Sequence, residues 1–483
     1  MRLQPVSLPT DHPDRRKYNA MIMRLRMRAF KSSAAPYLGA TLLAFTASLS
    51  ALAQTTLPNH PRTEVKGHSE IKERLIPSRF PAEPSIAPSF SVPIEPLGFT
   101  APGPIYLGAR NTMASLDFIG ENKLLFTFRV PGLLHRDTKS NDEDERQIRA
   151  VVLNLPQGTV EAENVFTVHD RARYLWMLKD GHFLLRDRNT LMEGDPSLNL
   201  KPFLNFPGPL EWIEVDPTQQ YIVANSREPA PAKAANGDQR SAPALTPGAA
   251  SGAAPGGASS MDLESRDDER IPEIVVRILR RDSGKVVLVS RVKSAVHLPI
   301  NDQGYLDDLE GKGWERILNL SYFDGGSRVL GSVESSCELR DDFVSAREIL
   351  ITGCSANGGD KLVAMNTDGK ILWVDVTPPV AVWPELAMAP NGRRIARETL
   401  GVTRAITAYS ALDSDDIKGQ WVTVYDAATG DMALETQASP VLDAGGNVAI
   451  SPSGRRVAVV NAGAIQVFEL PDPPPLPATM EDK

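Results

Sequence analysis

The residues able to do chemistry are thinly spread. Past the first fifty positions the histidines His60, His68, His135, His169, His182 and His297 stand apart, with no His-Glu-x-x-His motif and no paired ligand spacing. His169 and His182 flank one hairpin and are the pair the fold would bring nearest. Each histidine reads as a surface or internally satisfied side chain, so no metal is expected. The acidic run Asp142-Glu143-Asp144-Glu145 lacks the alternating ligands and central glycine of a calcium loop and reads as a solvated charged turn. Asp307-Asp308 and the trio Asp413, Asp415 and Asp416 read the same way. No Gly-x-Ser-x-Gly elbow and no phosphate-cradling glycine-rich lysine loop occurs, so neither a serine hydrolase nor a nucleotide-using enzyme is indicated, and no cofactor is expected. Catalytic residues stay unassigned at this level.

The two cysteines, Cys337 and Cys354, are too few for a zinc site and are not spaced as a redox-active Cys-x-x-Cys pair. In an oxidising compartment a structural disulfide is the leading expectation, with two buried free thiols as its rival. Such a compartment is what the N-terminal region suggests. Arg24, Arg26, Arg28 and Lys31 precede an apolar run from Leu38 to Leu52 that ends in Ala51-Leu52-Ala53, the layout of a signal peptide over 1–53, whose true start is Met23 or Met27. The run is too short and too rich in Ala, Ser and Thr for a membrane span, so an exported protein, periplasmic or extracellular, is expected. A net charge of −8 gives no basic footprint for nucleic acid or anionic lipid.

These scattered groups have to be positioned by short apolar strands. Residues 54–100 are rich in proline and read as an extended leader. The stretch 228–270, with Pro-Ala-Pro-Ala and Gly-Ala-Ala-Pro-Gly-Gly-Ala-Ser-Ser, reads as a disordered insertion. Between them a unit recurs: a strand, a turn of Asp, Asn, Gly or Pro, and a second strand. It begins at Leu116, Tyr174, Trp212, Leu318, Phe343, Ala387 and Val448, giving seven hairpins. Four of them are followed by a further strand that ends in a glycine turn, as in Val151 to Gly158 and Val424 to Gly430. A small sheet buries its faces only against neighbours, so the units must close into a ring. The expectation is an all-β chain with a single β-propeller of seven four-stranded blades over 101–471 and a proline-rich tail over 472–483. Asp-Gly, Asn-Gly and Ser-Gly positions then serve turn geometry. Trp176, Trp212, Trp314, Trp373, Trp383 and Trp421 are expected to wedge between blades.

The units Ala389-Pro390-Asn391-Gly392-Arg393-Arg394-Ile395-Ala396 and Ser451-Pro452-Ser453-Gly454-Arg455-Arg456-Val457-Ala458 resemble bacterial WD-like propeller repeats. With Val333 to Cys354, Ala381-Val382-Trp383-Pro384 and Asn461 to Phe468, the chain resembles a family of exported, uncharacterised WD-like β-propellers of acidobacterial type. That resemblance implies a fold and no particular activity. The Gly-His and Trp-Asp dipeptides of eukaryotic WD repeats are missing, so their hydrogen-bond network does not carry over.

With the hairpins taken as strands two and three of each blade, the long insertions at 131–147, 226–270 and 402–420 all join strands three and four and crowd one rim. A secreted binding or scaffold module is therefore the leading functional expectation, its partner an unidentified protein, peptide or glycan. The alternatives are a propeller enzyme (a lyase, glycosidase or quinoprotein-like catalyst) acting at the channel mouth, and a structural envelope protein. A converging cluster of perturbed Asp, Glu, Arg or His around the axis would favour the enzyme.

Overall fold

A computed structural model describes residues 73–75, 81, 83–103, 107, 111–131, 145–169, 172–229, 273–356, 358–405 and 413–474. The signal segment, most of the insertion and the end of the tail lie outside these residues. Two short strands come first, β1 (Arg74–Leu75) and β2 (Phe90–Pro93). Blade 1 follows with β3 (Ala114–Gly120), β4 (Lys123–Arg129), β5 (Arg146–Asn154) and β6 (Thr159–Val168), and blade 2 with β7 (Leu175–Met177), β8 (Phe183–Asp187), β9 (Thr190–Gly194) and β10 (Leu200–Asn205). Blade 3 holds β11 (Leu210–Val215), β12 (Tyr221–Glu228), β13 (Glu273–Arg280) and β14 (Val286–Val292). Blade 4 holds β15 (Gly304–Glu310), β16 (Glu315–Tyr322) and β17 (Ser327–Glu334). Blade 5 comprises β18 (Arg340–Phe343), β19 (Glu348–Cys354), β20 (Asp360–Asn366) and β21 (Ile371–Val376), with β1 added in parallel to β21. Blade 6 comprises β22 (Ala381–Met388), β23 (Arg394–Val402), β24 (Ile417–Asp426) and β25 (Met432–Ala438). Blade 7 comprises β26 (Val448–Ile450), β27 (Arg456–Asn461) and β28 (Ala464–Glu469).

Blade 4 reaches four strands through an irregular segment. Ile300 bridges Tyr305, Asn301 N–H donates to Gly304 C=O at 2.9 Å and Leu306 N–H to Pro299 C=O at 2.9 Å, so the chain around 299–301 occupies the first-strand position beside β15. Pro299 supplies no N–H, which keeps this strand from extending its ladder. Blade 7 takes its fourth strand from far away in sequence: β2 pairs antiparallel with β28, Phe90 opposite Val467. The supposed leader thus contributes structure to the ring.

Apolar side chains of neighbouring blades meet in interblade seams. Leu125, Ile148 and Phe166 of blade 1 meet Tyr174, Phe183 and Leu185 of blade 2. Trp176 and Leu184 meet Ile213 and Ile222 across the blade 2–3 seam. Val276 and Ile278 meet Ile300 between blades 3 and 4, and Leu318 and Leu330 meet Phe343 and Ile351 between blades 4 and 5. Leu350 and Trp373 meet Ile395, Val424 meets Val457, and Val92 and Val467 meet Leu116 and Phe126. There is one seam for each pair of neighbours around the ring, and the blade count of seven follows.

Several details differ from expectation. In every blade but the fourth, the hairpin visible in the sequence is strands one and two; in blade 4 it is β16 and β17, the last two strands. The enlarged connections therefore join strand two to strand three, from Arg129 to Arg146, Glu228 to Glu273 and Val402 to Ile417. Their ends still share one rim. Trp176, Trp373 and Trp421 are buried as expected, whereas Trp212 and Trp314 are exposed. Cys337, in the connection from blade 4 to blade 5, forms a disulfide with Cys354 at the end of the second strand of blade 5, with Cα atoms 5.5 Å apart. Gly158, at φ +69°, closes the turn from β5 to β6 where an added Cβ would come within 2.6 Å of Val92 Cγ1, so that turn and the closing strand fit only with glycine there. Among the described residues no helix is long and apolar enough to cross a membrane.

Candidate functional site

The first strands of neighbouring blades touch, β26 with β3 and with β22, and β3 with β7, which puts the first strand of each blade innermost, against the central channel. Along β3 the apolar Ala114, Leu116 and Phe118 are buried in blade seams, and the alternate positions Ser115 and Asp117 are half-buried. The same strand position in other blades carries Glu214 on β11, Arg340 and Asp342 on β18, and Glu385 on β22, while Arg173 lies two residues before β7 and His297 two residues before the irregular first strand of blade 4. The channel is lined by charge of both signs.

His297 is the hub of the wall formed by blades 3, 4 and 5. Its Nε2 lies 2.6 Å from the Asp341 carbonyl oxygen and 3.4 Å from Asp342 Oδ1; its Nδ1 lies 3.1 Å from Glu214 Oε2. The Trp212 ring meets the imidazole edge-on at 5.7 Å between centroids. Burial opposes a charge on this ring, but the adjacent Asp342 and Glu214 carboxylates prevail and push its pKa up to about 11. Asp341, 5% exposed, has its carboxyl raised to about 7 by burial, against the pull of His297 and reinforced by Asp342 and Asp308.

On the facing side Ser115 Oγ donates to Asp117 Oδ2 at 2.5 Å. Burial raises the Asp117 carboxyl to about 6, while the Ser115 hydrogen bond and Arg173 hold it from rising further. Arg173 is exposed to solvent, within electrostatic reach of channel-lining charges of blades 1, 3 and 5. Desolvation sets its pKa below the ordinary arginine value; Asp117 and Asp342 oppose that fall, Arg340 adds to it, and Glu214 opposes it. Its Nε donates to Leu175 C=O at 3.0 Å and its guanidinium lies 5.4 Å over the Trp176 ring. Among the described residues no carboxylate oxygen comes within 4 Å of its guanidinium. Arg340 is engaged instead, 3.5 Å from Glu385 Oε2.

The residues singled out by type and spacing fare unevenly under this geometry. His169 rests on Asp187 at 3.0 Å, whereas His182 Nδ1 faces Glu193 at 3.7 Å without a directed hydrogen bond, so the two engage different carboxylates. Asp307 accepts from Ser321 Oγ at 2.6 Å, Asp416 pairs with Arg404 at 2.8 Å, and Asp413 caps the turn Ser414–Asp416. His60, His68, His135 and residues 142–144 lie outside the described residues. His297, isolated in the sequence, is embedded among carboxylates of two other blades. Sequence reasoning misses Asp117, Arg173 and Glu214 as functional groups because each stands alone in the chain; the available signal is a charge alternating with buried apolar residues, as in Leu116-Asp117-Phe118 and Ile213-Glu214-Val215. On the opposite rim a shallow groove of about 500 Å³ lies between blades 3 and 4, lined by Tyr221, Asp302, Gln303, Tyr322, Phe323 and Asp324.

No family model and no curated protein matches the chain. Among solved structures it is similar to the acylaminoacyl peptidase of Pyrococcus horikoshii, at 9% identity and TM-score 0.42, over 75% of this chain and 52% of that one. It is similar to the β-propeller domain of the Trilobed protease from Pyrococcus furiosus at 11% identity and TM-score 0.38, over 74% and 94% of the two chains. It is also similar to the hydrazine synthase of Kuenenia stuttgartiensis at 12% identity and TM-score 0.36, over 70% and 99%. The chain spans about half the length of the Pyrococcus horikoshii peptidase. At these identities and scores no property of those proteins transfers, and the seven-bladed propeller rests on the strand pairing itself.

Proposed function

We propose that this protein is an exported binding module whose channel mouth captures a ligand that presents a carboxylate flanked by hydrogen-bond donors. The observation that carries this reading is Arg173: a guanidinium open to the channel, backed by Trp176, with no carboxylate of the described residues within 4 Å and three carboxylates farther out. Its free fork suits a bidentate carboxylate, and Asp117, Glu214 and Asp342 suit the donors beside it. Arg173 and His297 sit in connections between blades, on the same rim as the three enlarged loops, so those loops would surround the entrance. The disulfide and the signal-like N-terminal segment support an exported setting, as does the resemblance of the repeats to exported bacterial propellers.

The test is calorimetric titration of short peptides with free or amidated C-termini, and of uronates beside neutral sugars, into wild type, Arg173→Lys and Arg173→Ala. The expected result is binding that needs the carboxylate and weakens at least about tenfold in Arg173→Ala. Equal affinity for charged and neutral analogues would refute it.

A second reading, an acid–base enzyme, is favoured by Asp117 alone. A carboxyl with a pKa of about 6 beside a serine hydroxyl and an arginine is suited to proton transfer near neutrality. Asp117→Asn would then abolish turnover of a bound ligand while leaving its affinity within a few-fold.

A further inference from the structure

Two atoms in the channel wall face each other with nothing between them to account for it. His297 Nδ1 and Glu214 Oε2 are both buried, stand 3.1 Å apart, and neither forms a properly directed hydrogen bond with any described residue. The other ring nitrogen, Nε2, donates to the Asp341 carbonyl at 2.6 Å and has Asp342 Oδ1 3.4 Å away, which leaves Nδ1 facing Glu214. That is the orientation a metal-binding histidine takes: one N–H anchored on a backbone carbonyl, the other nitrogen presented. Two ligands bound about 2.0 to 2.1 Å from a tetrahedral ion stand about 3.3 Å apart, close to the observed separation. Asp342 completes the set, with ligand atoms of all three residues within 4.8 Å of one another.

We propose that Glu214, His297 and Asp342 bind one divalent first-row transition ion, of which zinc is the best match to an imidazole and two carboxylates. The ion would join the first strands of blades 3, 4 and 5, and three protein ligands leave a further coordination position for water or a ligand oxygen. The site shares Glu214 and Asp342 with the surroundings of Arg173, but zinc uptake and carboxylate-dependent binding are read separately, so either proposal can fail without the other. Ordinary pairing of a charged imidazole with two carboxylates is the competing explanation. It predicts that zinc is ignored.

The experiment uses the full chain stripped with a chelator and titrated with zinc chloride, comparing wild type, His297→Gln, Asp342→Asn and the control His182→Gln. One equivalent taken up by wild type and by the control, with at least about tenfold weaker uptake in the two ligand variants, is the expected result. No uptake by folded wild type, or unchanged uptake in either ligand variant, overturns the proposal. Should a ligand variant fail to fold, X-ray absorption on the zinc-loaded wild type decides: a sphere containing imidazole nitrogen with oxygens supports the site, and one without nitrogen overturns it.

Discussion

Glu348 opens the second strand of blade 5 and is 5% exposed, and neither of its carboxyl oxygens has a hydrogen-bond partner among the described residues. Burial alone pushes its pKa from the ordinary 4.5 to about 7. A carboxyl whose proton is held more tightly in the folded chain favours the fold at low pH, and that contribution is lost as pH rises from about 4.5 through about 7. At about 1.36 kcal/mol for each tenfold change in proton affinity, the loss is about 3 kcal/mol once the group is fully charged. Glu348→Gln removes the ionisation and keeps the shape. Denaturation of wild type and variant across pH isolates the effect, because every other titrating group is common to both. The two should be of similar stability near pH ~5, with the variant ahead by about 3 kcal/mol near pH ~8.5. Parallel pH profiles would refute the reasoning, since they would mean that the carboxyl stays charged at its folded position throughout.

Reduction of the Cys337–Cys354 bridge, or Cys337→Ser with Cys354→Ser, opens a closure between residues 17 apart and should cost about 3 kcal/mol, read as a fall in melting temperature. Removing residues before 100 strips β2 from blade 7 and leaves β28 as an unpaired edge; lower stability and concentration-dependent association by light scattering are expected, and an unchanged melting temperature would argue against β2 as the closing strand. Val92→Ala, in the seam between blades 7 and 1, should cost about 2 kcal/mol by chemical denaturation. Deleting residues 230–268 should leave the melting temperature unchanged and alter the set of proteins recovered in pull-downs; unchanged partners would count against this loop as a binding element.

The ring is legible in the sequence because its strands alternate and its turns are glycine-rich: Ser451-Pro452-Ser453-Gly454 between β26 and β27 is readable without a structure. Strand order is harder. Gly158 and Gly430 mark turns after third strands as clearly as Gly392 marks one after a first strand, so turn chemistry alone leaves the frame within each blade open by one strand. The first strand of blade 4 escapes notice because Pro299 interrupts its ladder, and β2 because four residues, Phe-Ser-Val-Pro, gain meaning only opposite Val467. The channel is not legible, for a physical reason. Its charges interact across blades, Glu214 with His297 and His297 with Asp342, and separations of dozens of residues leave no local trace.

The pairing of β2 with β28 has a kinetic side. Ser89 and Glu469, which bond across this joint, are 380 residues apart in the chain. A polypeptide synthesised from its N-terminus delivers β2 before blades 1 to 6 and β28 after them, so the blade 7–1 seam stays open until those blades have been delivered. Loop-closure entropy for so distant a pairing is repaid only at that final step, which makes the joint a natural late event in folding and an early one in unfolding. A chain caught before closure would display β28 as a free edge and the cluster around Phe126 and Val467 as bare apolar surface, the form a chaperone would recognise.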